Sequence, residues 1–113
     1  AGAVGPDDNA TTLAGQLLAL ADRAQAQLDK LPAATSPAEK AVTNGIANFR
    51  AEGKRLQSYL AAAKRKDAAQ SAEKLNQIAW ALHGALKKAP RYKALTNDWA
   101  RVVSGLRRLR KSI

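Results

Sequence analysis

The sequence predicts an all-α protein, a single-domain antiparallel up-and-down four-helix bundle. Three observations lead there. Apolar residues recur at helical, seven-residue spacing along four separate segments. The 46% hydrophobic content is carried by Ala and Leu, strong helix formers, while aromatics make up only 4%. The segments are divided by short breaks, and short connections make consecutive helices antiparallel neighbours. A chain of 113 residues suits one domain around one core.

Residues 1–8 read as a flexible N-terminal arm, with Asp7-Asp8-Asn9 offering cap oxygens and negative charge to a helix start. The first helix is predicted over about 9–31, its apolar face being Leu13, Leu17, Leu20, Ala24, Leu28 and Leu31, with Leu18 alongside. Leu31-Pro32-Ala33-Ala34-Thr35-Ser36-Pro37 is the clearest break. Ser36-Pro37-Ala38-Glu39 is a capping box with proline at the first helical position. The second helix, about 37–65, carries Val42, Ile46, Phe49, Gly53, Leu56, Leu60 and Ala63 on one continuous seam.

Continued in register, that seam would meet Asp67, Gln70 and Lys74, which are polar. A new seam, Ala68, Ala72, Leu75, Ala79, Leu82, Leu86 and Ala89, starts one residue out of phase, a rotation of about 100° on a helix. The slip predicts a turn near 64–67 with Asp67 as cap, and a third helix over about 68–89. Lys87-Lys88 complement its C-terminal dipole, and Pro90 stops it. The fourth helix, about 91–111, has the cleanest seam: Tyr92, Leu95, Trp99, Val102, Leu106, Leu109 and Ile113. Thr96-Asn97-Asp98 offers an alternative start, which would make 91–95 a separate short turn.

Charge divides unevenly along this chain. Residues 1–39 hold five acids and two bases, whereas 40–113 hold the other seventeen Lys and Arg and only four acids. The overall charge is +10, which favours an anionic partner and disfavours a cationic one. On a helical projection, Lys93, Arg101, Arg107, Arg108 and Lys111 share the side of the fourth helix away from Trp99, with no acid among them. Lys40, Arg50, Lys54 and Arg65 lie opposite the seam of the second helix. Trp80 sits one residue off the third seam, with His83 and Gly84 one turn away, and is a candidate aromatic anchor together with His83.

Catalytic and metal chemistry find little support. The chain has no Cys, no Met and one His, so thiolate metal sites, disulfides and Cys nucleophiles are excluded. Haem-carrying bundles resemble this architecture in helix count alone, because haem requires axial ligands that this composition lacks. No Asp or Glu stands three or four residues from His83, so no helical metal pair forms there, and neither metal nor any other cofactor is expected. No G-x-S-x-G, phosphate loop or H-E-x-x-H motif occurs, and no catalytic residues are assigned.

The expectation is therefore a non-enzymatic binding or scaffold module. Its partner is an acidic protein patch or anionic surface, met through the basic faces of the second and fourth helices, by Arg50, Lys54, Lys93, Arg101, Arg107, Arg108 and Lys111. One alternative is a small-ligand carrier with an apolar pocket among Phe49, Tyr59, Tyr92 and Trp99. Another is a nucleic-acid-binding protein, which is less favoured because no aromatic residues interleave the basic segment. The small-residue start Ala1-Gly2-Ala3-Val4 looks like the end left by signal-peptide removal, so a periplasmic or secreted location is expected, with cytoplasmic as the alternative. No uninterrupted apolar run is long enough to span a bilayer.

Overall fold

The computed structural model describes residues 6–113. Four α-helices follow in order: α1 (Pro6–Asp29), α2 (Pro37–Ala61), α3 (Arg65–Leu86) and α4 (Thr96–Ser112), with a 3-10 turn at Pro90–Leu95 between α3 and α4. Each helix packs on two neighbours, closing the ring α1–α2–α3–α4. Every contact along it is antiparallel. Gly53 meets Leu18 where Arg50 meets Asp22. Leu17 meets Gly105 where Asn9 donates to Ser112 Oγ at 2.8 Å. Ala79 meets Trp99 where Glu73 meets Arg110. This is the up-and-down four-helix bundle the periodicity predicts.

The second, third and fourth seams lie inside as expected, from Val42 to Leu60, from Ala68 to Ala89 and from Tyr92 to Leu109. The first is rotated. Its buried line is Ala10, Ala14, Leu17, Ala21, Ala24 and Leu28, while Leu13, Leu20 and Leu31 are only partly covered. The reason is size matching across the ring. α1 presents mostly alanines and α3 alternates alanine with leucine, while the large side chains Ile46 and Phe49 on α2 and Trp99 on α4 fill the centre from opposite corners. Phe49 and Trp99 meet edge to face with centroids 5.2 Å apart, a favoured aromatic geometry.

Helix boundaries differ from expectation at several places, and α1 and α3 each end two to three residues early, at Asp29 and Leu86. α1 starts at Pro6, so Asp7 and Asp8 belong to its first turn and the predicted arm shortens; residues 1–5 lie outside the described part. α2 ends at Ala61, four residues early, and Ala63 is exposed instead of buried. Ala63 takes the left-handed conformation (φ 57°), Lys64 N–H bonds to Tyr59 O at 2.8 Å, and Ala63 N–H bonds to Leu60 O at 3.1 Å. That is a Schellman cap with alanine where glycine is usual. Consequently α3 begins at Arg65, and Asp67 sits in its first turn beside the helix dipole instead of capping it. α4 begins at Thr96, and 90–95 is a separate turn, as the alternative start requires, although no side chain caps the new helix.

Candidate anion-binding surface

α4 is positioned by its seam. Trp99, Val102, Leu106 and Leu109 are buried, and Trp99 Nε1 donates to Ala79 O at 2.9 Å, which locks the rotation of α4 against α3. Arg101, Arg107, Arg108 and Lys111 are thereby turned to solvent. Among the described residues none of the four has an ion-pair partner. Five of the described acids are engaged by other arginines. Asp22 takes Arg50 at 2.8 Å, Glu39 takes Arg91 at 2.7 Å, and Glu73 takes Arg110 at 2.7 Å. Glu52 meets Arg55 at 3.5 Å, and Asp98 meets Arg23 at 3.9 Å. With these carboxylates neutralised by other arginines, the outward cations of α4 keep their field.

Arg101 and Arg108 also border a groove between α1 and α4, with a volume of about 320 Å³. It exists because α4 is small where the helices meet. At Gly105 a Cβ would come within 2.8 Å of Leu17 Cδ2, so the two helices touch there, and Ala100 and Ser104 leave the space above open. The partly covered Leu13 and Leu20 of α1 form the far wall. The rotation of α1 that buries its alanines is what leaves these leucines at the groove.

The other predicted site residues do not converge on this surface. Lys93 belongs to the 3-10 turn and lines a separate hollow of about 300 Å³ with His83, Leu86, Lys87, Pro90 and Thr96. Trp80 is half exposed and meets His83 edge to face at 5.7 Å; it is the exposed large hydrophobic side chain among the described residues. Arg50 is held by Asp22, and Lys54, although exposed, lies on α2, across the bundle from α4. The basic faces of α2 and α4 therefore lie on helices that are not neighbours in the ring. Of the aromatics expected to line a cavity, Phe49, Tyr92 and Trp99 are core residues, and Tyr92 OH donates to Pro32 O at 2.8 Å. Tyr59 packs at the core's edge. Among the described residues no three of His, Asp and Glu gather as a metal site would require, and no helix is long and apolar enough to cross a membrane.

Sequence reasoning recognised Glu39 only as a cap. It is a buried carboxylate at the centre of a half-exposed cluster. Arg91 Nε donates to Oε2 and Arg91 Nη2 to Oε1, both at 2.7 Å, and Thr35 N–H donates to Oε1 at 2.9 Å. Arg91 Nη2 also donates to Ala33 O at 3.0 Å, so one guanidinium ties the α1–α2 connection to the 3-10 turn. The Arg91 hydrogen bonds first, and the Thr35 backbone next, hold the Glu39 carboxyl far below the ordinary range, and Glu39 in turn raises Arg91. Ser71 was likewise missed: buried on α3, it donates to the Glu52 carboxylate on α2. The signal was present in each case as a polar residue falling on or beside an apolar seam. Comparison with protein-family models, curated proteins and solved structures finds no match to this chain.

Proposed function

We propose that this protein is a non-enzymatic binding module that engages an anionic partner through the outer face of α4. The observation that carries the reading is the contrast in pairing. Arg23, Arg50, Arg55, Arg91 and Arg110 are matched to acids of the chain itself, whereas Arg101, Arg107, Arg108 and Lys111 are exposed along one helix with none among the described residues. Unpaired lysines stand elsewhere on the described surface too, but α4 carries four of the unpaired cations on one outward face. Such a face attracts acidic surfaces over a Debye length, about 8 Å at physiological salt.

The test is retention on heparin across a salt series, comparing the natural chain with the triple variant Arg101→Gln, Arg107→Gln, Arg108→Gln. The variant is expected to elute at clearly lower salt while keeping its fold, since exposed charges contribute only ~0–1 kcal/mol each to stability. Elution of both proteins at the same salt would show that α4 is merely a solvated face.

A further inference from the structure

We infer that the groove between α1 and α4 receives one acidic amphipathic helix from a partner protein, an inference that rests on the anionic-partner reading above. The groove combines two features that a purely electrostatic surface does not need. Its floor and far wall are mostly apolar, made by Leu13, Leu17 and Leu20 of α1 with Gln16 among them. Its α4 rim carries two arginines, Arg101 and Arg108, exposed and without an ion pair among the described residues.

The spacing of these arginines selects the occupant. Seven residues on one helix correspond to two turns, about 10.5 Å along the axis at ~1.5 Å per residue, with both side chains on nearly the same azimuth. A helix lying along the groove repeats that interval when it carries two carboxylates seven residues apart. Its leucine stripe, one position around, then faces the leucines of α1. This is the arrangement by which flanking charges fix register beside an apolar seam in paired helices. A single-headed amphiphile such as a fatty acid satisfies one arginine and leaves the second unmatched. A rigid polyanion satisfies both but leaves the leucines in water. Of these three, the acidic helix is the one that uses the apolar wall and both cations together.

The probe is a synthetic helical peptide with Glu seven residues apart beside a leucine stripe, set against a scramble of identical composition and against heparin. The peptide is expected to bind about tenfold or more tighter than its scramble, because the scramble keeps the charge and loses the stripe. In the protein, Leu13→Gln with Leu20→Gln is expected to abolish that preference and leave heparin retention unchanged. Arg101→Gln with Arg108→Gln is expected to weaken both. Equal binding of peptide and scramble overturns the helix-in-groove inference while the anionic reading stands. Loss of heparin binding in the natural chain as well would remove both. A fatty acid that fills the groove where the peptide does not would overturn the inference in favour of a lipid. The peptide comparison requires no variant, so it decides the matter even if the leucine substitutions unfold the chain.

Discussion

At the scale of single residues the tightest device in the molecule is the pair Glu39 and Arg91. Its geometry is two parallel N–H to oxygen bonds of 2.7 Å, the form in which arginine and carboxylate are best matched. The carboxylate also closes the capping box of α2 through the Ser36 N–H. One side chain thus starts a helix and anchors a distant turn. Because the folded carboxyl titrates far below the unfolded one, the pair's stabilisation is complete above the unfolded value of ~4.3 and is lost as pH falls below it toward the folded value. Glu39→Gln should therefore be less stable than the natural chain at neutral pH. The gap should narrow steadily below about pH 4, where the natural carboxylate in the unfolded chain takes up its proton. Thermal midpoints of both proteins measured from neutral to strongly acidic pH check this; a gap that stays constant to the lowest pH would contradict it. The pair was not legible in the sequence. Arg91 follows Pro90 immediately, and nothing in a linear pattern brings it to a cap fifty residues earlier.

At the scale of elements, seams were legible and ends were not. An interior position must repeat every three or four residues for as long as the helix lasts, so Val42 to Leu60 and Ala68 to Ala89 declare themselves. The first seam is rotated because the sequence pattern follows the largest side chains, whereas α1 packs mostly by its smallest. Leucine is the more hydrophobic residue, but alanine is what lets α1 come close enough for Phe49 and Trp99 to meet. Glycines in or beside the seam of α2 serve the same close approach. Leu82 sits where a Cβ of Gly45 would stand, and Leu18 where one of Gly53 would, each at 2.8 Å. The α2–α3 turn was placed late because its cap has no glycine to mark it. Ala63 bears the left-handed conformation that a Schellman cap demands, at a cost of roughly 1–2 kcal/mol for a residue with a Cβ. Ala63→Gly removes that cost and adds back some unfolded-chain entropy, so a net gain of about 0.5–1 kcal/mol is expected. Ala62→Gly, where φ is −88°, gains nothing and should destabilise. Urea unfolding of the two single variants distinguishes them, and equal shifts in the same direction would show that the turn is not the one described.

At the scale of the whole molecule, charge is the feature that sequence and structure state together, but pairing is what gives it direction. A count of +10 says only that the surface is basic. The fold decides that Arg50 and Arg110 are used up in holding neighbouring helices, that Lys54 lies on a helix that is not a neighbour of α4, and that Arg101, Arg107 and Arg108 are the arginines of α4 left without an ion pair among the described residues. The basic strip was legible because a helical projection fixes azimuth. The groove beside it was not, because it depends on how α1 is rotated against α4.

The same excess charge has a consequence for stability. The body measures 51 × 20 × 19 Å. At ~0.01 M salt the screening length is about 30 Å, so like charges repel across the full width of the bundle. At ~0.15 M it is about 8 Å, and that repulsion is largely cut off. The ion pairs of Asp22, Glu39 and Glu73, with contacts of 2.7–2.8 Å, lie well inside either length and lose much less. The thermal midpoint should therefore rise with sodium chloride over this range instead of falling. Removing three uncompensated cations by Arg101→Gln, Arg107→Gln and Arg108→Gln should make the rise shallower and leave the variant at least as stable as the natural chain in low salt. A midpoint that falls with salt would mean that the paired arginines outweigh the unpaired ones. In that event α4 would carry no strip of surplus charge for a partner to meet.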